Sequence, residues 1–173
     1  MEFEFQPTLS GNLLQLRPLK EDDYGALFNV ASDPLIWEQH PAKNRYENSV
    51  FAALFDESLA SGGALIAIDV QTHGIIGSSR YHGYDQAASE IEIGWTFLAR
   101  SHWGGLYNGE MKRLMLNHAF KYVDSVVLIV GPDNRRSQRA VEKIGGVRDG
   151  CRTDATGTES LLYRIMSSKF QLS

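Results

Sequence analysis

Glu90 and Glu92 stand two residues apart in the β-prone run Ser89 to Leu98. Strand alternation places Glu90, Glu92, Gly94 and Thr96 on one face and Ile91, Ile93 and Trp95 on the other. Two carboxylates on one face of an interior strand are unusual, because a sheet interior seldom carries unpaired charge. Such a group is a general base, a partner in a structural ion pair, or part of a solvated strand end. A second group, Trp103 to Gly109, has three glycines in seven positions between a β-run and a helix. Glycines let backbone amides crowd around a ligand, and a helix start adds about half a positive charge, so anions bind there. Arg100, His102 and Arg113 could add charge locally; otherwise the segment is a tight turn. A third group, Asn134 and Ser137, lies where the apolar run Val126 to Val130 passes through Gly131-Pro132 into a helix. Ligands are often held at such sheet edges. Asn134 could hydrogen-bond a cofactor or order a water, and Ser137 could donate to a leaving group; capping of the helix is the alternative for both.

Less patterned residues could face an acceptor. Trp37-Glu38-Gln39-His40-Pro41 and Arg45 form a polar-aromatic cluster in an irregular connection, and Tyr81, His82 and Tyr84 end a strand. Glu38 or His40 could bind a cation; a Trp-anchored surface loop is the plainer reading. No histidine has metal-ligand spacing with another His, Cys or carboxylate, so no metal is expected. The single Cys151 excludes an internal disulfide and reads as a packed strand residue rather than a nucleophile. There is no Gly-x-Ser-x-Gly elbow and no Gly-Lys-Ser/Thr phosphate loop.

The elements that must position these groups follow from periodicity. Leu13 to Leu16 reads as a strand, and Lys20 to Asp23 opens a helix through Tyr24, Leu27, Phe28 and Ala31. A second helix runs from about Glu47 and ends at Gly62-Gly63. Ala64 to Val70 and Ile75 to Tyr81 make a hairpin about Gln71 to Gly74. The run Ser89 to Leu98 follows, then a helix from about Asn108 to Tyr122 and the strand Val126 to Val130. Ser137, Ala140, Val141 and Ile144 form one helical stripe, stopped by Gly145. Strands at about Gly146 to Arg152 and Ser160 to Met166 complete the order β-αα-βββ-α-β-α-ββ, a mixed α/β arrangement. At 173 residues the chain reads as one domain spanning 1–173. A formal charge of -4 argues against direct nucleic-acid binding. The lack of a signal-like N-terminus and of any long apolar run, together with one cysteine, leads to the expectation of a soluble cytoplasmic protein without a membrane segment.

That order and three ordered motifs resemble the GNAT acetyltransferases over essentially the whole chain. The motifs are Glu92-Ile93-Gly94-Trp95-Thr96-Phe97-Leu98, Trp103-Gly104-Gly105-Leu106-Tyr107-Asn108-Gly109-Glu110, and Asn134-x-x-Ser137-x-x-x-x-x-Lys143-x-Gly145. Within the family the likeness is to the ribosomal-protein N-terminal (alanine/serine) acetyltransferase branch. The resemblance implies a single α/β domain with a mixed, mostly antiparallel sheet of six or seven strands, splayed in the centre and flanked by about four helices. It implies acetyl transfer from acetyl-coenzyme A (CoA) directly to a primary amine, on a peptide or a small molecule, in a ternary complex. Glu92 would be the base, with Asn134 and Ser137 as the polar pair on the cofactor side. Backbone near Phe97 and Leu98 would bind the pantetheine arm. The segment Trp103, Gly104, Gly105, Leu106, Tyr107, Asn108 and Gly109 would grip the pyrophosphate, with Arg100 beside it. Trp37, Glu38, His40 and Tyr81 would line the acceptor side, and a homodimer is left open.

One departure stands out. Leu106 occupies a position where the family carries glycine, and leucine tolerates positive φ poorly. Either Gly104, Gly105 and Gly109 supply the freedom in a rebuilt loop, or cofactor affinity is reduced; a non-catalytic acyl-CoA-binding sensor of the same fold is the alternative function. The acceptor chemistry also discriminates. An α-amine with pKa about 8 needs roughly 1 kcal/mol for deprotonation at pH 7, whereas a lysine needs roughly 4 to 5. A weak base suffices for the first.

Overall fold

The computed structural model describes residues 1–170. The periodic segments form eight strands and four α-helices among the described residues. These are β1 (Leu9–Ser10), β2 (Leu14–Pro18), α1 (Tyr24–Ala31), α2 (Asn48–Ser61), β3 (Ala64–Asp69), β4 (Ile75–Asp85) and β5 (Glu90–Leu98). There follow α3 (Leu106–Ala119), β6 (Ser125–Val130), α4 (Arg135–Lys143), β7 (Val147–Thr153) and β8 (Glu159–Met166). The order is the expected one with an extra strand, because Leu9 and Ser10 pair with Leu16 and Gln15 ahead of β2. The acidic turn before α1 is a 3-10 turn, Glu21–Asp23. Asp23 there takes two hydrogen bonds from Arg17 and one from the Lys20 amide.

One continuous sheet has the order β1-β2-β3-β4-β5-β6-β8-β7. Neighbours are antiparallel except β5 and β6, which α3 connects as a parallel crossover. One face is covered by α3 and α4, where Leu14, Ile91, Ile93, Met111, Met115 and Val141 share a core. The other face packs under α1 and α2 through Leu27, Phe51, Phe55, Ile66 and Phe97.

The alternation expected along β5 breaks in mid-strand. The β4–β5 register shifts between Ser78/Arg80, so Gly94 pairs with Arg80 while Phe97 pairs with Ser78. The extra residue is taken up at Trp95, whose φ is 51. The phase of the strand therefore inverts. Trp95 lies on the same side as Glu92, stacked on the Arg80 guanidinium at 4.2 Å and edge-on to His82. Thr96 turns to the α3 side, where its hydroxyl meets Lys112. A left-handed tryptophan costs of order 1–2 kcal/mol. Arg80, bound to Glu57 at 2.9 Å and to Ser58 of α2, supplies the fixed surface that offsets it.

Glu110, the last residue of the Trp103 motif, ties the helix to the first strands. Its buried carboxylate accepts the amide N–H groups of Asn12, Leu13 and Leu14 at 2.9, 2.8 and 2.9 Å. Removing it leaves three amides without their acceptor. Glu110→Ala is expected to destabilise the protein by on the order of 3 kcal/mol, read as a lower denaturation midpoint in urea.

Candidate active site

β5 and β6 pair only over Glu90–Ser125, Ile91–Val126 and Glu92–Val127. Beyond that point they part, and a cavity of about 250 Å³ opens between Ile93–Leu98 on one side and Leu128–Gly131 on the other. A strand edge released from its neighbour presents backbone N–H and C=O groups, which an extended amide-bearing ligand can pair with as an added strand. The Leu98 carbonyl is already taken by the Trp103 indole N–H at 3.0 Å. The cavity reaches Gly104, Gly105 and Asn108 at the start of α3, and Asn134 and Ser137 at the start of α4.

At the α3 end the loop is rebuilt around two glycines. Gly104 and Gly105 have φ of 112 and 101, so both left-handed positions stay with residues that tolerate them. Leu106 is the first residue of α3 and points outward, 76% exposed. Its size is therefore no obstacle to an anion at the first amides of the helix, which lack intrahelical partners. Lys143 comes close: a Cβ on Gly105 would lie 3.2 Å from its Nζ. Arg136 stacks on Trp103 at 4.0 Å and donates to the Ile36 carbonyl at 2.9 Å, which places another cation at the cavity.

Several expected cofactor residues lie elsewhere. Arg100 is drawn away into an ion pair with Asp33. The Tyr107 phenol donates to Asp69, which also holds His102 at 2.8 Å. The Gly109 amide closes a helical hydrogen bond to Gly105, and neither Leu106, Tyr107 nor Gly109 lines the cavity. The Arg100 side chain and the Gly109 amide are thus engaged elsewhere, while the main-chain N–H groups of Leu106 and Tyr107 remain at the start of the helix. Phe97, Leu98, Trp103, Gly104, Gly105, Asn108, Asn134 and Ser137 are brought together around it.

The candidate catalytic groups divide. Glu92 is buried and one oxygen accepts from Arg152 at 2.8 Å. Its other oxygen stands over Gly94, where a Cβ would touch it at 3.4 Å. The carboxylate is thus both an ion-pair member and a neighbour of the cavity wall, without lining the wall itself. Glu90 belongs to a structural cluster with Arg164 and the Ser125 hydroxyl. Asn134 does cap α4, its Oδ1 accepting from the Ser137 amide at 3.2 Å. The cap leaves the Ser137 hydroxyl at the cavity.

On the acceptor side, Trp37 is a buried anchor whose indole N–H donates to the Ala31 carbonyl at 2.8 Å, though its ring forms part of the wall. Glu38 is exposed. His40 lines the cavity; Nδ1 accepts from the Ala42 amide at 2.9 Å. Burial, and then the charge of Arg45, push His40 down to about 4, so its imidazole is neutral. Tyr81 is a correction: it is 1% exposed, its hydroxyl donates to the Met115 carbonyl at 2.7 Å, and it belongs to the core. Sequence reasoning missed Trp95, Arg136 and Lys112. The only signal for Lys112 was its position one turn after Asn108; its enclosure against β4 and β5 is a product of packing.

A parted pair of parallel strands, with helix starts facing the gap, forms a cleft suited to an extended ligand with an anionic end. The sequence matches the acetyltransferase (GNAT) domain over residues 14–147, and the chain belongs to that family, whose members use acetyl-CoA. It is an acetyl-CoA-dependent N-acetyltransferase by family. No curated protein matches the sequence. Among solved structures it is similar to a GNAT-family acetyltransferase from Bacillus anthracis (18% identity, TM-score 0.78, 94% of this chain and 100% of that one). It is similar to Mycobacterium smegmatis RimJ in complex with CoA-disulfide (18%, TM-score 0.72, 95% and 90%). A third is spermidine N-acetyltransferase from Vibrio cholerae in complex with CoA and spermine (17%, TM-score 0.70, 92% and 98%). Among the described residues no helix is long and apolar enough to cross a membrane.

Leu106→Gly is expected to leave CoA affinity unchanged in calorimetry and to lower stability by about 1 kcal/mol through lost helix propensity. A large loss of affinity would reveal the leucine as a packing anchor. The His40 geometry gives a pH effect. An imidazole at about 4 when folded and near 6.5 when unfolded binds fewer protons in the folded state, so acid favours unfolding. Stability should fall as pH drops below about 6.5, continuing to about 4, and His40→Gln should flatten that part of the denaturation profile.

Proposed function

We propose that the protein transfers an acetyl group from acetyl-CoA directly to a primary amine in a ternary complex, with a peptide α-amine as the best-suited acceptor and a small-molecule amine as the other. The observation that carries this reading is the cavity between the unpaired edges of β5 and β6, ending at the Gly104-Gly105 start of α3. The pyrophosphate belongs at that helix start, with Lys143 and Arg136 nearby; the arm belongs along Ile93–Leu98. Ordering of the loop by two glycines, with Leu106 turned to solvent, removes the motive for a sensor without turnover. Complexes of RimJ with CoA-disulfide and of a spermidine acetyltransferase with CoA and spermine lend support from the same fold.

In the reaction the amine nitrogen attacks the thioester carbonyl, a C–N bond forms and the C–S bond breaks. Glu92, through its Oε1 or one water, takes the amine proton, and Arg152 fixes its orientation. Asn134 and the Ser137 hydroxyl face the sulfur, and Ser137 donates to the departing thiolate. A carboxylate is adequate for an α-amine, which is partly neutral at physiological pH, and marginal for a lysine. His40, held neutral, adds no repulsion toward a cationic acceptor.

Mixing the protein with acetyl-CoA and a panel of N-terminal peptides and polyamines should release thiol with at least one acceptor. No release above background with any of them would overturn the proposal. Glu92→Gln should be slowed about 100-fold near pH 7 with an α-amine acceptor and recover much of that near pH 9, where the amine is already neutral. Equal depression at both pH values would remove Glu92 from the base role.

A further inference from the structure

Lys112 has no part in the chemistry above, yet it is the anomaly among the buried charges. Asp23, Arg80, Glu92 and Glu110 each have an ionic partner. Lys112 is 5% exposed and among the described residues its ammonium has only two hydroxyls, those of Thr96 and Ser79, the latter at 3.4 Å. These hydroxyls bond each other at 2.8 Å, closing a small polar cage. The surrounding elements offer no anion. On β4, Arg80 lies on the opposite face with Glu57, and Tyr81 donates to Met115. On β5, Glu92 faces Arg152 across the sheet. On α3, Glu110 is held by the Asn12–Leu14 amides and Arg113, and His118 by the Glu4 carbonyl. Across the cavity stand neutral His40 and the cations Arg136 and Lys143. A lysine so enclosed is rarely tolerated without a partner. The missing partner points toward the cavity that Lys112 lines together with Thr96.

We infer that Lys112 is a cation completed by the cofactor: the protein takes up a proton on Lys112 when the pyrophosphate-bearing thioester enters the cavity. This rests on the cofactor reading above. Lys112 follows Asn108 by one helical turn, about 6 Å along α3 from the residues that would hold the phosphates. At an effective dielectric constant of about 20, one unit charge about 10 Å away biases protonation roughly tenfold. Burial holds the free Lys112 amine down to about 7, so the group is poised where such a bias changes its charge.

The sign is fixed. Below about 7 Lys112 is already charged in the free protein, and the cofactor gains its full attraction without proton uptake. Above about 7, binding must bring a proton with it, and affinity falls by up to about tenfold per pH unit until the raised value of the complex is passed.

Titration calorimetry with acetyl-CoA at about pH 8, in two buffers of different ionisation enthalpy, reads this directly. The thioester has no free thiol, and the cofactor's terminal phosphate, with second pKa near 6, is already ionised there. The wild type should take up about half a proton or more. Lys112→Met, which exchanges the amine for an apolar side chain of similar length, should take up none. Its affinity should be weaker than wild type by about tenfold near pH 7 and approach it near pH 9. Equal heats in both buffers for the wild type would overturn the inference while leaving the cofactor reading intact, and that measurement needs no variant to fold. Proton uptake persisting in Lys112→Met would overturn it too. An absence of any binding heat at every pH would sink the cofactor reading and this inference together.

Discussion

The fold turns on where a parallel strand pair stops pairing. β5 and β6 share three residue pairs and then separate, a break that a sheet accepts only if something else occupies the freed edges or shields them. The cause is local and lies in β5. The bulge at Trp95 takes up an extra residue against β4, twists the strand and re-aims every side chain after it. Arg80, clamped to Glu57 and Ser58 of α2, holds the tryptophan ring in the strained conformation that this requires. Strain, stacking and ion pair act as one unit, and the cavity is its product.

That inversion also sorts the polar groups of β5 between the two faces of the sheet. Glu92 and Trp95 fall on the side of α2. Thr96 falls on the side of α3, whose first turn offers its unpaired amides. A straight strand would have placed Glu92 and Thr96 together and mixed the acidic and hydroxyl groups on one side. The bulge puts the Glu92 carboxylate and the Thr96 hydroxyl on opposite faces of the sheet.

Several buried polar groups are satisfied in ways that stiffen this arrangement. Glu110 locks α3 to the β1–β2 turn through three amides. Asn134 caps α4 and so fixes Ser137 beside the cavity. Arg136 pins the connection after α1 by its bond to the Ile36 carbonyl. Lys112 differs in having two hydroxyls and no carboxylate beside its amine.

Periodicity and glycine placement were enough to determine the element order, the crossover character of α3 and α4, and the family motifs, because these depend on neighbours within a few residues along the chain. The three-glycine loop and the Asn134–Ser137 spacing were legible for the same reason. The pairings that decide what each polar group does were not. Arg100 could be matched with Asp33, Tyr81 with the Met115 carbonyl, Glu92 with Arg152 and Lys112 with two hydroxyls only once the sheet had been assembled. Those partners lie 16 to 67 positions apart in sequence. A single inserted residue at Trp95 reverses which face a side chain takes, and alternation read along one strand carries no record of it. Charge and hydrogen bonding act through space, so the sequence determined which groups were present and the tertiary structure decided which of them were left free to meet a ligand.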